Sequence, residues 1–183
     1  LGAISYANEL CNRYGIDTMD VGNLVAFSME AYEKGIIGKE ETGGMEVRWG
    51  DPAVLIELIR GMGEGTGFGA VLGEGFPAVV KRFGEKAQEI AMTVKGLSLP
   101  AHDPRAYNSI AVGYATANRG ACHLEAFSHV FERALSMPEI GIDAPLDRFQ
   151  VEGKGILTAK AQNLMMIFDS LCLCKFLLTG GVR

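Results

Sequence analysis

Two short stretches, one near each end of the chain, combine side chains that could hold a ligand. Asp169 and Cys174 lie five residues apart at the close of a strongly apolar segment, and Asn12 and Asp17 repeat this spacing near the start. In both stretches a small residue and then a branched aliphatic residue stand between the two polar groups. We interpret the stretches as halves of an internal repeat and predict two helical layers that face one ligand from opposite sides.

His123 is the residue best suited by its type to general acid or base catalysis, because an imidazole changes charge near neutral pH. It follows a glycine turn beside Arg119. A histidine that simply packs in the core is the commoner case, so the residues alone leave both roles open. His102 and His129 have no partner that the sequence identifies.

The Cys172-Leu173-Cys174 stretch is a weak metal signal, because a zinc or iron–sulfur site needs a second pair of ligands. Free, buried cysteines on an apolar helix are the commoner interpretation. Asp169 is more informative. A carboxylate in an apolar segment must be paired or hydrogen-bonded to offset its desolvation, so we expect Asp169 to be bound to a partner.

Five glycines alternate with other residues between Gly61 and Gly69. Such density can indicate a phosphate-binding loop, but no Gly-Lys-Ser/Thr ending follows and no strand pattern precedes it. We therefore favour tight helix–helix corners that exclude side chains.

The composition is typical of a compact helical protein. Of 183 residues, 48% are hydrophobic and only 8% are aromatic. The net charge of −5 gives no indication of the basic surface that binds nucleic acid or an anionic membrane. No apolar run reaches the roughly 20 residues that a membrane helix needs. Four irregularly spaced cysteines indicate free thiols in a reducing compartment, so we predict the cytoplasm. The first residues lack an initiator Met, and we expect a piece of a longer chain.

Apolar periodicity predicts an all-α fold with at most a short β element, for which the run Ile90–Val94 is the candidate. A helix should end at Gly15, Thr18 or Asp20 should cap the next, and Asp51-Pro52 should begin another. The main predicted helices are Gly2–Tyr14, Ala53–Met62, Arg105–Asn118, Leu124–Met137 and Leu157–Phe168.

Four longer stretches occur in a fixed order along almost the whole chain: Asn8–Thr18, Val94–Leu97 leading into His102–Arg105, Tyr114–His123, and Asp169–Phe176. In residues and order they resemble the C-terminal helical part of the aldehyde:ferredoxin oxidoreductase family, the tungsten-pterin enzymes. The resemblance assigns residues 1–96 to a first helical half, similar to the family's middle domain, and 97–183 to a second half, similar to its C-terminal domain.

The resemblance implies two motifs that each grip one pterin of a tungsten (or molybdenum) bis-pterin cofactor. Carboxylates suit this role because they accept hydrogen bonds from the N–H groups along a pterin edge. Asp169 would bind one pterin. Asn12 stands where the family has an Asp that binds the other pterin, so weaker binding is expected there, with Asp17 as a further candidate acceptor. The implied cofactor-binding residues are Asn12, Gly15, Asp17, Thr18, Asp169, Leu173, Cys174 and Lys175.

The resemblance also implies that Cys174 is one ligand of a [4Fe–4S] cluster, with Cys172 in place of the family's glycine. His123 resembles the family's histidine near the tungsten and is the implied catalytic residue. The other three cluster ligands would lie in a missing N-terminal part of the same polypeptide. We therefore expect the 183-residue chain alone to lack both cofactors and to be inactive, and exposed apolar surface makes a homo-oligomer the expected state.

The implied reaction is oxidation of a small aldehyde to a carboxylic acid, with electrons passing to ferredoxin. The loop Pro138–Gly155 and the helix before Gly120 would set the substrate. A family member that reduces an acyl or aromatic thioester is one alternative. A cofactor-free helical interaction module that kept the fold is another, and the departures at Asn12 and Cys172 favour it.

Overall fold

The computed structural model describes residues 1–180 and divides the chain into two compact units, Leu1–Ser98 and the part that begins at Leu99. Within the described residues there are eleven α-helices, and the regular β structure is one antiparallel pair of two-residue strands. The prediction of an all-α fold with a short β element is confirmed. None of the helices described is long and apolar enough to cross a membrane.

The first unit contains six helices followed by the β pair. Its elements are α1 (Gly2–Tyr14), α2 (Thr18–Glu33), α3 (Pro52–Glu64), α4 (Gly67–Gly73), α5 (Phe76–Phe83), α6 (Glu85–Ile90), β1 (Thr93–Val94) and β2 (Leu97–Ser98). Val94 pairs with Leu97 and Thr93 with Ser98. Apolar residues of all six helices form one core, including the fully enclosed Leu58, Leu72 and Val79.

Local signals explain where α1, α2 and α3 begin and end. Gly15 ends α1 with a left-handed backbone, φ 68°, as predicted. Asp51 caps α3 by accepting a hydrogen bond from the Ala53 N–H at 2.8 Å. The predicted caps of α2, Thr18 or Asp20, are wrong. Asp17 is the cap, because its Oδ1 accepts from the Met19 and Asp20 N–H groups at 2.7 and 3.1 Å.

The glycine-rich stretch is a close crossing of α3 and α4, as favoured above. A Cβ added at Gly69 would lie 2.5 Å from the Gly61 backbone, and one added at Gly63 would overlap the Tyr14 ring. Glycine is therefore required at Gly69 because two backbones meet there, and at Gly63 because the Tyr14 ring of α1 fills the space of a side chain.

The second unit contains α7 (Asn108–Thr116), α8 (His123–Ala126), α9 (Val130–Arg133), a 3₁₀ helix (Pro138–Ile140), α10 (Lys154–Ser170) and α11 (Leu177–Gly180). Its core is built around Phe131, Leu157 and Met165, which are nearly inaccessible to solvent.

Two predicted helices differ from the structure. The helix predicted over Leu124–Met137 is the separate α8 and α9, because Phe127 adopts a left-handed backbone, φ 52°, that ends α8. The helix predicted from Arg105 begins later, at Asn108. Asp103 was the expected cap of the helix from Arg105, but its side chain accepts from the Arg105 N–H at 2.8 Å within a turn, and α7 begins three residues later.

A buried charge network joins three elements of the second unit. Glu132 on α9 is ion-paired with Lys154 on α10, and their side chains are 0% and 3% exposed. The same carboxylate accepts hydrogen bonds from the Ser109 N–H and Oγ on α7, at 3.1 and 2.6 Å. Lys154 also donates to the Asp147 carbonyl at 2.5 Å. The network holds the segment before α10 against α7 and α9.

Candidate functional site

The C-terminal ligand stretch leaves the end of α10 as an irregular turn. Asp169 lies in the last turn of the helix, and its carbonyl accepts a hydrogen bond from the Cys172 N–H at 3.1 Å. Cys172 has a left-handed backbone, φ 54°, which a glycine adopts without strain. Cys172 and Cys174 are free and exposed. The interpretation as buried helix cysteines is therefore wrong, because both thiols lie beyond the helix end.

Lys175 joins this turn to the helix that begins at His123 by hydrogen bonds. Its Nζ donates to Asp169 Oδ2 at 2.8 Å and to the carbonyl of Leu124, the residue after His123, at 3.0 Å. The expected partner of Asp169 is thus Lys175, while the expected apolar surrounding is not found, since the carboxylate side chain is 51% exposed. Exposure leaves the Asp169 carboxylate accessible to a ligand.

An aromatic contact adds to this connection. Phe176, next to Lys175, meets Phe127 edge to face, with ring centroids 5.7 Å apart and an angle of 90° between the rings. Phe127 in turn contacts His129 at 5.2 Å. The turn with Asp169 and Cys174, and the short helix that begins at His123, therefore form one contiguous region of the second unit.

All three histidines of the chain lie in one stack. His102 is central, with its ring centroid 4.5 Å from that of His123 and 4.5 Å from that of His129, and the rings are tilted by 32° and 37°. Tyr107 approaches His129 at 5.9 Å. Tyr114 donates from its hydroxyl to the His102 carbonyl at 2.9 Å and so fixes the loop that carries the central ring.

The surroundings of the stack disfavour positive charge on it. Burial, followed by the charges of His102 and Arg119, lowers the pKa of His123 to about 4. Burial likewise lowers the pKa of His129 to about 4, with smaller contributions from the neighbouring histidines and Arg133. The pKa of His102 is lowered by burial and by Arg133. His123 and His129 are therefore neutral at pH 7.

Two polar atoms beside the stack are buried without a hydrogen-bond partner, the Ser128 hydroxyl oxygen and His129 Nδ1. Such groups are uncommon in folded proteins and often mark functional sites. Glu125 fixes the loop before His123, because its carboxylate accepts from the Asn118 N–H at 2.7 Å. Within residues 1–180, no group of three or more His, Cys, Asp or Glu side chains has the arrangement that holds a metal ion.

The N-terminal ligand stretch lies in the first unit, where Asn12, Gly15, Asp17 and Thr18 are exposed. Asn12 is in the last turn of α1, and Asp17 uses Oδ1 to cap α2. A cleft of about 190 Å³ begins beside this corner. Its walls are mainly apolar, and its lining residues include Ile16, Asp17, Asp20, Met62, Phe76 and Pro77.

These residues fit the groups that the resemblance implies. A pterin edge needs exposed hydrogen-bond acceptors, which Asn12 and Asp169 provide. A cluster iron needs an accessible thiolate, which Cys174 can provide. His102 and His129 were missed as site residues, because their contacts with each other and with His123 join distant parts of the chain. For His102, the sequence did contain a signal, because it begins the His102–Arg105 stretch that resembles the family.

The chain matches one protein family over nearly its whole length. The model of "Aldehyde ferredoxin oxidoreductase, domains 2 & 3" matches residues 1–182. A tungsten-containing aldehyde ferredoxin oxidoreductase of Pyrococcus furiosus is 38% identical over 183 residues, covering 98% of this chain and 29% of that protein. The protein of the same name from Thermococcus kodakarensis is 33% identical, with the same coverage of 98% and 29%.

A more distant relative has a different name. The aliphatic sulfonate oxidoreductase, WOR-like subunit, of Pyrococcus furiosus is 32% identical over 126 residues, covering 66% of this chain and 20% of that protein. The chain spans about 29% of the length of the curated aldehyde ferredoxin oxidoreductases it matches. Because the family model covers almost every residue and the helical fold agrees with it, the chain belongs to the aldehyde ferredoxin oxidoreductase family.

Proposed function

We propose that this chain is the helical part of a tungsten-dependent oxidoreductase that converts aldehydes to carboxylic acids and delivers the electrons to ferredoxin. The observation that carries the proposal is the family match over residues 1–182, in which the relatives are named tungsten-containing enzymes. The exposed ligand stretches and the neutral His123 support it.

The two ligand stretches would hold the pterins of the cofactor. In the first unit, Asn12 would accept through its amide oxygen, and the corner formed by Gly15, Asp17 and Thr18 would let a flat ring approach the backbone. In the second unit, Asp169 would accept through its exposed carboxylate. Lys175 orients that carboxylate, and Leu173 in the turn would offer an apolar contact.

Cys174 would be this chain's ligand to a [4Fe–4S] cluster, since its thiol is exposed beyond the helix end. When bound, a tungsten or molybdenum bis-pterin supplies two-electron redox chemistry and the cluster transfers single electrons. The protein's own residues would orient these groups and would accept and donate the protons of the reaction.

His123 would handle a proton of the reaction. Oxidation of an aldehyde with water to an acid releases two electrons and two protons. A neutral imidazole is the form that accepts a proton, and because the pKa of His123 is lowered to about 4, the imidazolium would release that proton readily once it is formed.

The segment that precedes α10 would help select the substrate. Arg148 lies over the Tyr107 ring at 5.6 Å, and Tyr107 contacts His129 of the histidine stack. Asn108 fixes the same segment by donating to the Phe149 carbonyl at 2.8 Å. The segment is therefore connected through Tyr107 to the histidine stack that includes His123.

Replacement of Cys174 by Ser in the full-length native polypeptide tests the proposal, with Cys172→Ser as the matched control. Both thiols are exposed and only Leu173 separates them in the sequence, so unfolding or general thiol loss affects them alike. We expect loss of iron–sulfur absorption in Cys174→Ser and retention in Cys172→Ser. Equal iron content in both variants would contradict the role of Cys174.

Replacement of Asn12 by Asp separates the enzyme from a cofactor-free interaction module. A carboxylate grips a pterin edge more strongly than an amide, so an enzyme should keep or gain cofactor. Unchanged absence of cofactor in both forms is the result expected of a module.

A further inference from the structure

We propose that His102 is a positioning residue for His123, and that the three stacked imidazoles act as one unit that carries no more than one positive charge. The proposal deepens the function proposed above, because it concerns the state of the imidazole that would handle the proton. It rests on the geometry of the stack, in which His102 is the only one of the three rings that contacts both of the others.

The position of His102 explains why it would control His123. The two ring centroids are 4.5 Å apart and the rings are tilted by only 32°, so the His102 ring lies along one face of the His123 ring. A side chain packed in this way restricts rotation of its neighbour. The Tyr114 hydroxyl, bonded to the His102 carbonyl at 2.9 Å, keeps the His102 loop in place.

The same distances limit the charge that the stack can hold. Two positive charges 4.5 Å apart in a partly buried site repel strongly, so protonation of one ring disfavours protonation of the next. Groups that interact this closely titrate together and not as independent residues. A proton on His102 therefore keeps His123 and His129 neutral.

The groups around the stack reinforce this limit. Arg119 faces His123, and Arg133 faces both His102 and His129. Asp103, beside His102, is already paired with Arg105 at 2.6 Å and is not free to balance an imidazolium. Other titratable or charged groups on neighbouring elements include Tyr114, Cys122, Tyr107, Arg148, Glu125 and Lys175.

His129 supplies an independent observation. It is 3% exposed, and its Nδ1 has no hydrogen-bond partner. No carboxylate or carbonyl of the described residues therefore fixes a proton on that atom. The ring is therefore held by its stacking on His102, at 4.5 Å, and not by a hydrogen bond at Nδ1.

The experiment is an NMR titration of the 183-residue chain with isotope-labelled histidine, from pH 8 to about pH 5, which lies above the pKa of about 4 of His123 and His129. Because the chain has three histidines, each ring can be assigned by single substitution. We expect one ring, His102, to gain a proton first while the other two remain neutral. Three rings that titrate independently near pH 6.5 would overturn the proposal, and this outcome needs no variant.

Substitution of His102 separates positioning from simple packing. His102→Phe keeps a stacked ring but removes the charge, so we expect the titration of His123 to move to higher pH while its ring stays ordered. His102→Ala should also loosen the His123 ring. A packing role alone predicts no change of the His123 titration in His102→Phe, and that result would refute the positioning role.

Failure of this proposal can be told apart from failure of the proposed function, because the titration does not depend on bound cofactor. A native enzyme with tungsten but with independent histidines would overturn only the inference about the stack. A native polypeptide that holds no tungsten but shows coupled histidine titration would overturn the proposed function. The inference about the stack would then still hold.

Discussion

Lys175 donates hydrogen bonds from one ammonium group to Asp169 Oδ2 at 2.8 Å and to the Leu124 carbonyl at 3.0 Å, so that the C-terminal turn is joined to the helix that begins at His123. The Lys175 side chain is only 12% exposed, whereas that of Asp169 is 51% exposed. The relationship connects a residue proposed to hold a cofactor with the residue proposed to handle a proton.

Replacement of Lys175 by Met should release this turn without unfolding the second unit. The ion pair, in which the Asp169 side chain is half exposed, contributes about 0.2–1 kcal/mol, and the bond to the carbonyl contributes about 1 kcal/mol. We expect faster amide hydrogen exchange in residues 171–178 and little change in α7. Unchanged protection of the turn would show that Lys175 does not hold it. Lys160→Met is the control, because Lys160 donates to a different carbonyl, that of Gly141, at 3.1 Å.

Removal of one partner of the buried Glu132–Lys154 pair should destabilise the second unit strongly. Lys154→Met leaves the Glu132 carboxylate buried without its cation, which typically costs about 3–5 kcal/mol. The double variant Glu132→Gln, Lys154→Met should lose less, because no charge is left buried. Chemical denaturation of the wild type, of Lys154→Met, of Glu132→Gln and of the double variant measures the four free energies of unfolding. A double variant that loses the sum of the single losses would contradict this account.

The crossing of α3 and α4 predicts opposite effects for two glycines. Gly69→Ala places a Cβ 2.5 Å from the Gly61 backbone and should cost at least about 1–3 kcal/mol. Gly22→Ala is the matched control, because Gly22 is helical, exposed and has open space around its Cβ position. It should stabilise α2 by about 0.5–1 kcal/mol. Thermal unfolding of both variants tests the difference, and equal effects would refute a packing role for Gly69.

The histidine stack predicts that stability falls as pH decreases from about 6.5 to about 4. The folded pKa values of His123 and His129 are about 4, below the ordinary 6.5, so in this range the unfolded chain binds protons that the folded chain does not. The free energy of unfolding therefore rises with pH across the window and is fully present above it. His129→Gln should flatten the dependence measured by denaturation at several pH values. The same slope in the wild type and the variant would argue against a lowered pKa of His129.

The helices were predictable from sequence where local chemistry sets their ends. Gly15 ends α1 and Asp51-Pro52 begins α3, because a left-handed glycine and a capping carboxylate act within one helical turn. The break at Phe127 could not be predicted, since a buried aromatic residue with φ 52° is stabilised by tertiary packing and not by its own preference.

The candidate site was predictable only in part for the same reason. Asp169, Cys174 and His123 were identified by residue type and family resemblance. The partner of Asp169 could have been sought within its own turn, but the contact of Lys175 with Leu124 spans 51 residues. The stack of His102 on His123 and His129 likewise depends on how the loop after the β pair folds back within the second unit.

The decisive measurement is a metal analysis of the native polypeptide purified from its source, combined with an assay of aldehyde-dependent reduction of ferredoxin. We expect one tungsten or molybdenum and about four irons per polypeptide, together with acid formed from aldehyde. A native polypeptide that contains this chain, holds neither metal and oxidises no aldehyde would contradict the proposed function and favour a helical interaction module.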